Sequence, residues 1–202
     1  AADNKQPLRR DLKKTLRFLH ESVTSGRTAR FWESLFLFEA YLSIAATFKK
    51  RRMTFPALGS NKLSFKNIYH PSVQDAVPND ITFESNILVL TGSNMSGKST
   101  LLRSLAVNIF LAQAGLPVFA EQADVPFFKT MIVKLHHNDD PGSGFSHFMK
   151  DIESLKTLLV HAQAAENCFA VFDELLTGTS ADDARSLFKE TIAGLQQFTN
   201  VF

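Results

Sequence analysis

The sequence predicts an α/β fold, a sheet flanked by helices behind an N-terminal helical segment, and three observations carry that prediction. Residues 6–50 keep helical spacing of their apolar positions with no proline after Pro7. From about residue 62, short β-rich apolar runs alternate with helix-periodic stretches. One such run leads into a glycine-bounded loop that a clear helix follows at once, Gly92 to Thr100. With 202 residues, 45% of them apolar, the chain can bury a core without disulfide staples. Its single cysteine, Cys168, excludes a disulfide framework and a cysteine-based metal cluster, and fits a reducing, cytoplasmic setting. The longest apolar stretch, 31–48, is interrupted by Glu33 and Glu39, so no bilayer-spanning helix and no membrane contact are expected. No signal-peptide pattern opens the sequence.

Element by element, Leu8, Leu12, Leu16 and Leu19 mark a first helix, which Ser25-Gly26 breaks. A second runs from about Thr28 to Lys49, and Phe31, Trp32, Leu35, Phe36, Phe38, Tyr41, Leu42 and Ile44 make it apolar almost all round. Such a helix has to be buried on several sides, or to lie against a partner or a missing part of the protein. Residues 1–55 carry twelve Lys+Arg against five Asp+Glu, while the rest is net acidic. Nucleic acid or an anionic surface would suit that charge, but so would an ordinary solvated helix face. Pro56, Gly59, Ser60 and Asn61 mark a boundary. It separates a helical segment, residues 1–55, from an α/β domain, residues 62–202, whose last apolar run begins at Asn200. A buried strand is expected over Asn86–Leu90 and a helix over Lys98–Ala114, stopped by Gly115 and Pro117. Further strands are expected near Val118, over Lys129–Leu135 and over Cys168–Phe172, with helices over Phe145–Glu166 and Ala181–Gln197.

Gly92-Ser93-Asn94-Met95-Ser96-Gly97-Lys98-Ser99-Thr100 fits the pattern G-x-x-x-x-G-K-[ST]. Glycines let such a loop curl so that successive backbone N–H groups converge on phosphate oxygens. The helix behind it adds its unsatisfied N-terminal donors and the positive end of its dipole. Lys98 would reach the β- and γ-phosphates, Ser99 would ligate Mg²⁺ and Thr100 would donate to the α-phosphate. Downstream, Phe169-Ala-Val-Phe172 ends in Asp173-Glu174, which puts two acids at the edge of a sheet where α/β folds bind ligands. Asp173 suits Mg²⁺, directly or through water. Glu174 suits a water aimed at the γ-phosphate, which favours hydrolysis over transfer to a second substrate. A third element, Gly142 to Ile152, brings Ser146 to the start of a long helix. There it is either an ordinary N-cap or an anion contact, and in a symmetric dimer that anion could belong to the other subunit.

Together these residues resemble the ATPase domain of the MutS family, the ABC-class P-loop ATPases of DNA mismatch repair. The most specific features are Asn94-Met95 within the loop, Ser146-x-Phe148-Met149-x-Asp151-Ile152, and Asp173-Glu174 followed by Gly178-Thr179-Ser180. His70-Pro71 and Val77-Pro78-Asn79-Asp80 resemble the family's lead-in to the loop. The resemblance covers about residues 64–202, with the preceding helices as the end of a lever-like region and the domain cut short at its C-terminal end. It implies a homodimer with composite ATP and Mg²⁺ sites. Lys98, Ser99, Asp173 and Glu174 would come from one subunit and Ser146 from the other. It also implies clamp movements on DNA, which other regions of the full-length protein would contact.

The sequence departs from the mismatch-repair pattern in places. Ser93 and Ser96 stand where proline and glycine are usual, Leu175-Leu176-Thr177 replaces Ile-Gly-Arg, and Asp75-Ala76-Val77 lacks an aromatic for the adenine. The family's histidine would fall just past Phe202, and His136 and His137 are poor substitutes. These departures favour a MutS-like branch that need not read mismatches. A nucleotide-gated interaction module with little or no ATPase is the alternative from another class. A transporter's nucleotide-binding subunit would carry a Ser-Gly-Gly-Gln signature, and a small-molecule kinase would have no use for Glu174.

Overall fold

The computed structural model describes residues 6–93, 95–135, 147–176 and 180–202. They form a mixed α/β protein with two units, Ala1–Arg51 and Arg52–Phe202.

The first unit is a helical hairpin, α1 (Gln6–Thr24) and α2 (Arg27–Lys50). Gly26 turns the chain at φ 69°, a left-handed conformation that costs glycine little. Lys49 and Lys50 sit in the last turn of α2, where cations suit the helix dipole. Burial of α2 on several sides, one of the arrangements its composition allows, is not seen among the described residues of this unit. Phe31, Phe36, Phe38 and Tyr41 are each more than 60% exposed. Trp32 stacks on Phe36 along the same helix, with centroids 6.0 Å apart. Among the described residues no helix is long and apolar enough to cross a membrane.

The second unit holds two small sheets. The first takes the order β1-β4-β2-β3, from β1 (Ala57–Leu58), β2 (Ser64–Ile68), β3 (Asn79–Thr82) and β4 (Gln122–Val125). The second pairs β5 (Thr130–Lys134) with β6 (Cys168–Phe172) in parallel, with Thr130 opposite Cys168 and Lys134 opposite Phe172. Three helices complete the unit: α3 (Lys98–Gln113), α4 (His147–Gln163) and α5 (Ala181–Leu195).

The continuous apolar run of β6 follows from being covered on both faces. Phe169 and Val171 join the main core with Leu105 and Ile109 of α3. Cys168, with Ala170 and Phe172, joins a second core with Leu158 of α4 and Leu195 of α5. Alternate side chains of one strand thus serve two cores, as the two-residue repeat of a strand requires. Two polar side chains staple α3 to the loops around it. Buried Asn108 accepts from Phe119 N–H and donates to Tyr69 O, and Gln113 donates to Pro126 O and accepts from Phe128 N–H. That fixes the helix whose first turn carries Lys98.

The strand expected over Asn86–Leu90 is not formed. Residues 87–91 pair with no ladder among the described residues, and Leu88 and Val89 are 43% and 50% exposed. Apolar, β-rich composition gives a strand only where a neighbouring edge accepts its hydrogen bonds. The Asn86 side chain still anchors the segment, donating to Leu195 O and Phe198 O. Near Val118 the expected strand is reduced to a single bridge to Thr54.

At the end of β6 away from the acids, Glu166 gathers Lys129, His161 and Thr130. Hydrogen bonds from Lys129 and then from His161, 2.6 Å away, hold its carboxyl below the usual carboxylate range. A depressed carboxyl contributes stability above its unfolded pKa, and that contribution is lost as the pH falls through the folded value. Glu166→Gln should therefore lose less stability than the wild type on acidification below about pH 4.3. Thermal unfolding across pH checks this, and identical acid slopes would contradict it. Neighbouring Cys168 is fully buried, and that burial raises its thiol above the ordinary range, so it is a packing residue.

Candidate functional site

The loop before α3 is exposed, and its geometry follows from its residues. Gly97 precedes the helix at φ 91° and no side chain caps α3 there. The N-cap residue thus offers the first-turn amides no side-chain acceptor. Met95 also takes a positive φ, 63°, and its side chain is fully exposed. Ser96 N–H donates to Ser93 O across the turn. A Cβ at Gly92 would lie 3.1 Å from Ser96 Oγ, tighter than most such contacts, so the loop closes closely around this glycine. The Lys98 ammonium curls back onto the loop, donating to Gly92 O at 2.8 Å and Ser93 O at 2.7 Å. Ser99 is half-buried and Thr100 exposed. Asn94 lies outside the described residues.

The two acids arrive from β6. Asp173 is half-buried, and its N–H donates to Lys134 O, extending the β5–β6 pairing by one bond. Glu174 is exposed and has φ 55°; Leu176, two residues on, has φ 67° and is buried. Left-handed backbone at two non-glycine residues in one turn costs about 1–3 kcal/mol each. It persists where surrounding contacts over-determine the turn. One such contact is the Leu176 N–H, which donates to Asp151 Oδ2 of α4 at 2.8 Å.

A cavity of about 430 Å³ joins these pieces: Lys98, Asp173 and Glu174 all line it, beside Thr91, with an apolar wall that includes Leu102 and Phe169. Ser99 is not on that wall. An exposed curl of glycine and serine, a cation held only by its own loop's carbonyls among the described contacts, and uncapped helix amides form a donor set suited to a polyphosphate. A hydroxyl and a lone carboxylate suit Mg²⁺, which keeps water ligands and shares phosphate oxygens rather than requiring a full protein cage. In keeping with that, no cluster of three or more His, Cys, Asp or Glu is present among the described residues.

Other expected residues fall differently. Ser146, Gly178 and Thr179 lie outside the described residues, as do His136 and His137. Ser180 caps α5, accepting the Asp183 N–H at 3.3 Å. Asp80 accepts the Asn67 N–H at 2.7 Å, stabilising the bulge in β2, and Val77 is 79% exposed. Sequence reasoning gave Lys134 no role and named Asp151 only within a motif. A salt bridge across 17 residues leaves no local pattern to read.

Residues 88–201 match the family profile described as MutS domain V. Among curated relatives, the DNA mismatch repair protein MutS of Streptococcus thermophilus is 40% identical over 122 residues, which are 59% of this chain and 14% of that protein. Proteins of the same name from Haloquadratum walsbyi and a Geobacillus species are 33% and 35% identical over 159 residues, covering 76% and 74% of this chain. The chain spans less than a fifth of the length of these relatives.

Proposed function

The chain belongs to the MutS family, matching its domain V, and from that premise we propose that it binds and hydrolyses ATP with Mg²⁺ as the motor part of a mismatch-repair-type protein. The observation that carries this reading is the convergence of Lys98, Asp173 and Glu174 on one cavity between the start of α3 and the end of β6. An ABC-class P-loop arrangement is the reading of the sheet and helices that agrees with it.

In that role the backbone of Gly92–Gly97, with Ser93, Asn94, Met95 and Ser96 between the glycines, cradles the phosphates. Lys98 supplies the main countercharge, and Thr100 donates to the α-phosphate. Ser99 and Asp173 hold Mg²⁺, which supplies neutralisation of phosphate charge when bound. Glu174 orients and polarises the attacking water, a role that favours hydrolysis over transfer to a second substrate. Ser146, which precedes α4 in the sequence, contacts the γ-phosphate on the other subunit of a homodimer. Closing and opening of the two composite sites then drives clamp movements on DNA, which regions beyond these residues contact. A cytoplasmic location belongs to the same reading.

Steady-state hydrolysis by the full-length protein tests this. Mg²⁺-dependent ATP turnover with ATP-dependent dimerisation is the expected result. ATP binding without turnover would favour the second reading, a nucleotide-gated interaction module. The basic helices of residues 1–55 and a site that lacks the family's histidine among these residues are what favour that alternative.

A further inference from the structure

We propose that Asp151, with Lys134, is a positioning residue that sets the backbone turn carrying Glu174. This inference rests on the hydrolytic reading of the site.

Two hydrogen bonds and one ion pair close a ring around that turn. The Asp173 N–H donates to Lys134 O at 2.9 Å, so β5 fixes where the turn begins. The Lys134 ammonium then reaches Asp151 Oδ1, 2.5 Å away, across to α4. The other oxygen of the same carboxylate, Oδ2, takes the Leu176 N–H at 2.8 Å, which fixes where the turn ends. Glu174 lies inside this ring, between two fixed points three residues apart.

Burial makes the ring stiff. Asp151 is 6% exposed and the ammonium nitrogen of Lys134 is shielded from solvent. In a buried ion pair, removing one partner leaves the other charge uncompensated. Glu174 at φ 55° and Leu176 at φ 67° would relax toward ordinary backbone if released. The side chain of Leu176 is buried, which gives the turn a second anchor on the same residue. Without the Asp151 bond the far end of the turn that carries Glu174 would lose a hydrogen-bonded anchor, while Lys98 and its loop lie on a different element. The same carboxylate ties α4, the helix that begins one residue after Ser146, to the hydrolytic turn. One buried carboxylate thus connects the two elements proposed to meet at opposite nucleotides of the dimer.

The test separates positioning from binding in the full-length protein. Asp151→Asn keeps an oxygen for the Leu176 N–H but loses the ion pair. It should lower kcat roughly tenfold or more, since small misplacement of a reacting group is costly. ATP affinity should stay within about threefold, and Asp151→Glu should recover part of the lost rate. Because a single variant leaves a buried charge, Lys134→Met with Asp151→Leu provides a folded control with an apolar pair. It too should bind ATP normally and hydrolyse slowly. Wild-type kcat in the double variant, or equal losses of affinity and kcat in Asp151→Asn, would overturn the proposal while leaving the ATPase reading intact. A wild-type protein that neither binds nor hydrolyses ATP would remove both.

Discussion

Lys98→Ala should cost at least about a hundredfold in ATP affinity, equivalent to the loss of one or two hydrogen bonds to charged phosphate. The side chain is placed for this and for little else. It is half-buried, and its ammonium donates to the carbonyls of Gly92 and Ser93 in its own loop. Those bonds are what a bound triphosphate would replace with stronger, charge-assisted ones. Since its described hydrogen bonds stay within its own loop, the variant should unfold at nearly the wild-type temperature. Equilibrium titration with a fluorescent ATP analogue reads the effect. Unchanged affinity would count against the assignment of the loop, and a large fall in melting temperature would mean that Lys98 is structural.

Glu174→Gln should have the largest effect on turnover, a loss of about 10²–10⁴ in the hydrolysis rate with ATP affinity kept. Glutamine is isosteric and can occupy the same turn, but it cannot accept a proton from water. Trapped ATP should then hold the composite sites closed, so the variant should accumulate as a dimer with ATP. Single-turnover hydrolysis and sedimentation in the presence of ATP measure the two halves of this expectation. If the variant stays monomeric with ATP under conditions where the wild type dimerises, the sharing of a nucleotide between subunits is wrong. A hydrolysis rate equal to the wild type would remove Glu174 from the chemistry.

How much of this was legible in the sequence depended on whether the signal was local. Cys168–Phe172 was readable as a strand because five apolar residues of the right type ran together and ended in acids. Helix α3 was readable from its apolar face and its Gly115 stop, which takes φ 73°. The hairpin of α1 and α2 was readable from Gly26. By contrast β2, β3 and β4 were not assigned in advance, because each is five residues or fewer and is defined by its partners' edges. Asn86–Leu90 erred the other way: its composition suggested a strand, but without a paired edge among the described residues none forms. In the site, the loop and the two acids came from contiguous motifs. The bonds that hold the turn come from Lys134 and Asp151, residues on separate elements whose meeting only the fold reveals.

The central claim is that the Gly92–Lys98 curl grips a triphosphate beside Asp173 and Glu174. A crystal structure of the full-length protein with Mg²⁺ and a non-hydrolysable ATP analogue tests it most directly. The account predicts the β- and γ-phosphates within the curl, with Lys98 released from the Gly92 and Ser93 carbonyls and bonded to them instead. An analogue bound elsewhere, with Lys98 still folded onto its own loop, would contradict it.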